Sequence, residues 1–75
     1  MDGRFLKVNS AELQRLRGDK GFSQQELAER AGSTQQTISQ LECGHHAARV
    51  STLQKLAEAL DIEPRELVKW DEMTF

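Results

Sequence analysis

The 75-residue chain carries a single cysteine, Cys43, and one cysteine forms no internal disulfide. That excludes the stapled scaffolds of small secreted domains and agrees with a reducing compartment. No apolar run is long enough for a membrane span or a signal peptide. No membrane partner is therefore expected, and the cytoplasm is the default location. Repeats, linkers and low-complexity tracts are missing. So are catalytic constellations: there is no nucleotide-binding glycine loop, no carboxylate pair in a cleft-like context and no nucleophile–base set. Neither an enzyme nor a cofactor is expected. Cys43, His45 and His46 crowd three metal-binding side chains together without a second cluster. That arrangement does not match a zinc spacing, so no metal is expected.

An excess of positive charge is also lacking. The net charge is −2, whereas nucleic-acid-binding domains are usually basic. The distribution qualifies the sum. Residues 1–57 hold eight Lys/Arg against six Asp/Glu, a balance of +2. Residues 58–75 hold two basic against six acidic, a balance of −4. The acidity thus sits at the C-terminal end.

What remains is a chain of 37% apolar and 29% charged residues, fitting one soluble globular domain over residues 1–75. A chain this short buries roughly 60% of its unfolded surface, so modest stability is expected. Phe5 to Val8 reads as a strand or an ordered arm within residues 1–9. Ser10 is the expected cap of a first helix to about Asp19, with Leu13 and Leu16 inward and Gly18 and Gly21 ending it. Ser23 precedes an apolar-periodic run and is followed three residues later by Glu26, a capping box. Leu27, Ala28 and Ala31 share one face of that second helix. Gly32 stands where a helix commonly ends left-handed. Thr34 caps a third helix, with Ile38 and Leu41 inward and Gly44 as its stop. His45 to Val50 read as a loop. Ser51 is the expected cap of a fourth helix with a Leu53, Leu56, Ala57 and Leu60 stripe. Pro64 opens an expected fifth helix and tail over residues 63–75.

The segment from Ser23 to Gly44 resembles the helix-turn-helix of the phage repressor and Cro family, also called the XRE family. The likeness covers roughly Leu13 to Leu67, and Ala28, Gly32, Ile38, Leu41, Glu42 and Gly44 fit the family's pattern of small, turn, apolar, acidic and stop residues. The run Thr34 to Glu42 looks most like the recognition helix of the phage 434 repressor. Thr52 to Leu60 matches the family's fourth helix. Two positions depart. Ser33 stands where the family usually places Val or Ile, and His45-His46-Ala47-Ala48 replaces a Lys/Arg-rich loop. The resemblance implies an all-α, compact five-helix bundle, lambda-repressor-like, with its helix-turn-helix over residues 23–43. It also implies a transcriptional regulator, most simply a repressor, that binds a pseudo-palindromic double-stranded DNA operator as a homodimer.

Candidate site residues follow. Gln35, Gln36 and Gln40 offer amides that match the donor–acceptor edge of adenine, with Ser39 beside them. The plain alternative is a solvated polar face. Thr37 suits a phosphate or a thymine methyl. Gln24, at the start of the second helix, is implied by the family to bind phosphate, helped by the positive helix end. Arg49 lies in the loop that family members lay along the backbone. Lys20 and Arg30 read better as solvated charges. Arg17 resembles the family arginine that pairs with the acid at Glu42, a structural ion pair. His45 and His46 would raise backbone affinity as pH falls. Val68, Trp70, Met73 and Phe75 either close the core, against Phe5 and Val8, or form an apolar self-association surface. A competing reading is an antitoxin or adaptor whose apolar, acidic C-terminal segment binds a protein partner.

Overall fold

The computed structural model describes residues 4–44 and 47–69. His45, His46, Trp70, Met73 and Phe75 lie outside the described residues. The order is β1 (Phe5–Lys7), α1 (Ser10–Lys20), α2 (Gln24–Arg30), α3 (Gln35–Glu42), β2 (Ala47–Arg49), α4 (Val50–Leu60) and a 3-10 turn, Pro64–Leu67. Among the described residues this corrects the all-α, five-helix expectation to four α-helices with a small two-stranded sheet.

The local chemistry explains each boundary. The Asn9 side chain accepts from the Glu12 N–H at 3.2 Å and caps α1 one residue before Ser10. Gly18 stays inside the helix, and Gly21 ends it at φ 73°. In α2 the Ser23 hydroxyl accepts from the Glu26 N–H at 3.0 Å, and the Glu26 carboxylate accepts from the Ser23 N–H at 2.9 Å. The two bonds satisfy donors that a helix start otherwise leaves orphaned. Gly32, at φ 67°, turns the chain. The Ser33 N–H then returns to the Ala28 carbonyl at 2.8 Å. Thr34 caps α3 by accepting from the Thr37 N–H at 3.2 Å.

The expected loop before α4 is instead a strand. β2 pairs antiparallel with β1 in the register Phe5 to Arg49, Leu6 to Ala48 and Lys7 to Ala47. The ribbon runs straight into α4. The first helical N–H, of Val50, donates to the Arg4 carbonyl at 3.3 Å, so the residue just before β1 supplies an acceptor where Ser51 was expected to cap. The expected fifth helix stops after one 3-10 turn. Val68 is extended and bridges to Val8, while the Asn9 N–H reaches the Leu67 carbonyl and the Lys69 N–H reaches the Lys7 carbonyl. The N-terminal segment offers these backbone groups partners that a helix would otherwise supply.

One core sits between the helices. Leu13, Leu27, Ile38, Leu53, Leu56, Leu60 and Leu67 are fully buried, one or more from every helix and from the 3-10 turn. Val68 is also in this core, at 5% exposure. It is therefore not part of a self-association surface. Among the described residues no helix is long and apolar enough to cross a membrane.

Candidate nucleic-acid interface

α3 is amphipathic, and its two faces have different partners. Ile38 and Leu41 are buried, while Gln35, Gln36 and Gln40 are exposed and Thr37 and Ser39 are half-buried. Ile38 and Leu41 pin one side of the helix, so the three glutamine amides point into solvent. The Thr37 hydroxyl shares a hydrogen bond with the Thr34 hydroxyl at 3.0 Å and so belongs partly to the cap.

The C-terminal end of α3 is tied down by a buried acid. Glu42 is 8% exposed. Its carboxylate accepts from Arg17 Nε at 2.6 Å, from Arg17 Nη2 at 3.1 Å and from Gln24 Nε2 at 2.9 Å. The remaining Arg17 arm donates to the Phe22 carbonyl at 2.8 Å. The two-pronged contact with Glu42 raises the arginine pKa further, against the opposing effect of burial. Gln14 Nε2 donates to the Glu42 backbone carbonyl at 2.8 Å, closing one of the carbonyls that a helix end leaves open. Three side chains, two from α1 and one from α2, thus converge on one residue of α3 and brace the end of that helix.

Several candidates sit differently from expectation. Gln24 has an internal partner, Glu42, and retains one amide hydrogen for an outside acceptor. The Arg30 guanidinium lies over the Phe22 ring, 4.5 Å from its centroid. Arg49 is exposed on β2 and stacks over Phe5 at 5.4 Å. Cys43 is an exposed free thiol. Gln14 and Phe5 are the two residues that sequence reasoning did not place in the site. Gln14 was findable: it stands three residues before Arg17 and shares that face of α1. Phe5 was not, because its neighbour Arg49 is brought to it by strand pairing across the fold. Among the described residues, no group of three His, Cys, Asp or Glu side chains is placed to hold a metal ion.

A capped helix, a left-handed glycine turn and a second helix packed on the first, with its polar face outward, define a helix-turn-helix domain. The family model described as Helix-turn-helix matches residues 13–67. An uncharacterized HTH-type transcriptional regulator, y4dJ of Sinorhizobium fredii, is 42% identical over 62 residues, spanning 83% of this chain and 80% of the relative. The restriction-modification controller protein C.AhdI from Aeromonas hydrophila has a similar structure, with TM-score 0.72 and 40% identity over 76% of this chain and 83% of that one. The biofilm master regulator SinR, solved in complex with DNA, matches with TM-score 0.71 and 28% identity over 75% of this chain and 90% of that one. The chain belongs to the helix-turn-helix family of XRE type.

Proposed function

We propose that this protein is a sequence-specific DNA-binding transcriptional regulator, a repressor that lays α3 in the major groove. The observation that carries the reading is the outward row of Gln35, Gln36 and Gln40 on a helix braced by Arg17 and Glu42. A glutamine amide is both donor and acceptor, which suits the N6/N7 edge of adenine. A braced helix loses little backbone freedom on docking, so the ordering cost is confined to the side chains that make the contacts. Ser39 joins the base contacts. Gln24, Thr37 and Arg49 take phosphates and set the register, which carries no sequence information by itself. The named relatives support this reading, since two are named regulators, one a controller protein, and one of the regulators was solved with DNA bound.

The functional unit is a homodimer on an inverted repeat, with Trp70, Met73 and Phe75 supplying apolar surface for the pairing. One small module buries too little DNA for tight binding, and two-fold pairing doubles the contact. The chemistry is binding, and no catalysed reaction is assigned. The balance of −4 over residues 58–75 favours a second role for that end, capture of a protein partner. Deleting residues 70–75 separates the two. Loss of dimer and operator affinity together supports the pairing role. Intact operator binding with loss of a captured partner supports the other. Hydroxyl-radical footprinting on a bound duplex tests the docking itself: protection should fall on one face of the duplex, flanking the bases whose preference Gln36→Ala relaxes.

A further inference from the structure

Phe5 is the exposed large apolar side chain of the described residues, at 58%. Its neighbour Leu6 turns toward the core, so strand alternation sends Phe5 outward. The antiparallel register sets Phe5 directly opposite Arg49, and the guanidinium lies 5.4 Å from the ring centroid. These two side chains, with Thr37 and Gln40 of α3, Ala47 of β2 and Thr52 of α4, line an open recess of about 210 Å³. Among the described residues, no carboxylate lines it.

We propose that this recess seats one phosphate–deoxyribose unit of the DNA backbone, with Phe5 holding Arg49 in position for the phosphate. A guanidinium held over an aromatic ring by cation–π attraction does not spend its N–H donors on that contact, and its planar fork matches two phosphate oxygens. The stack restricts a long, mobile side chain before DNA arrives, so less ordering remains to be done on binding. Thr52, which also lines the recess, brings a hydroxyl that can donate to a phosphate oxygen. The apolar edge of Phe5 and the methyl of Ala47 suit the carbons of a deoxyribose. Duplex backbone is the occupant the geometry favours, because Thr37 and Gln40 belong both to this recess and to the reading face of α3. The β-ribbon is then a second DNA-contacting element, and Phe5 a positioning residue acting through Arg49. This inference rests on the reading of α3 as the major-groove element.

The test is affinity for a selected duplex measured against salt concentration, using the full chain. Phe5→Ala should weaken binding by about two- to fivefold, the size of an exposed cation–π contact. It should also lower the salt slope by about one phosphate's worth, as Arg49→Ala does. The double variant should be no worse than Arg49→Ala alone, and Phe5→Tyr should bind like the unmodified chain. Arg49→Lys, which keeps the charge but not the planar fork, should fall by a similar factor. Urea midpoints for all variants report folding independently. The inference is overturned if Phe5→Ala keeps affinity and slope, if Phe5→Leu rescues as well as Phe5→Tyr, or if the two losses add. A chain that selects no duplex at all would remove the parent reading instead. Selection with an indifferent Phe5→Ala would remove only the clamp.

Discussion

Replacing Glu42 by alanine removes three side-chain hydrogen bonds at once, two from Arg17 and one from Gln24. Breaking one partner of a buried ion pair typically costs about 3–5 kcal/mol, because the other charge is left without compensation. Here the arginine is only partly buried: its side chain is 23% exposed against 6% for the glutamate. Water can solvate it after the substitution, which argues for the low end, about 3 kcal/mol. A carboxylate near a helix C-terminus is disfavoured by the helix dipole by about 0.3–1 kcal/mol, so its removal returns a little. The net expectation is a loss of about 2–3 kcal/mol. For a domain of this size that is a large share of a total of roughly 4–11 kcal/mol. Each kcal/mol shifts Tm by about 4–8 °C, so a fall of about 8–24 °C is expected. Glu42→Gln keeps an acceptor for Arg17 and should lose less. Urea denaturation with an unchanged m-value is the assay. A loss below about 1 kcal/mol for Glu42→Ala, in the range of an exposed pair, would refute the claim that this network braces α3.

Gly32→Ala and Gly44→Ala form a matched pair. Both sites are left-handed, at φ 67° and 86°, and each substitution should cost about 1–2 kcal/mol for the backbone alone. A Cβ at Gly32 meets nothing within 4 Å, whereas one at Gly44 comes within 3.1 Å of the Ser10 hydroxyl oxygen. Gly44→Ala should therefore cost more by thermal unfolding, and adding Ser10→Ala should recover the excess. Ser23→Ala breaks the capping box and should cost about 1 kcal/mol, measured by the same unfolding curve. Gln36→Ala should leave stability unchanged and relax preference at one or two base positions, a loss of about 1–3 kcal/mol on the matched duplex by fluorescence anisotropy.

The legible parts of the fold were those written in local sequence. The Ser23–Glu26 box, the Gly32 turn, the Thr34 cap and the leucine stripe of α4 each depend on residues within one or two helical turns, and each lies where the pattern puts it. The first strand was legible as a strand or arm over Phe5 to Val8, but its partner was not, because Ala47–Arg49 has little strand propensity and the two are separated by the whole helix-turn-helix. A separate long-range contact explains why the described part of the expected fifth helix is one 3-10 turn. Leu67, Val68 and Trp70 were expected on one helical face, yet Val8 and Asn9 bond the backbone of Val68 and Leu67, and Val68 is extended. Tertiary hydrogen bonds overrode local preference there. Within the site, the outward glutamines follow from periodicity. The Gln24 bond to Glu42 and the Phe5–Arg49 stack needed three-dimensional proximity to be seen.

The central claim is that α3 reads duplex DNA. Selection of bound sites from random duplexes at controlled salt, run in parallel on the unmodified chain and on Gln36→Ala, addresses it most directly. The expected result is an inverted repeat enriched by the unmodified chain, with preference at one or two of its positions relaxed by the variant. No enrichment, or enrichment of the same site with every position unchanged by the variant, would contradict it.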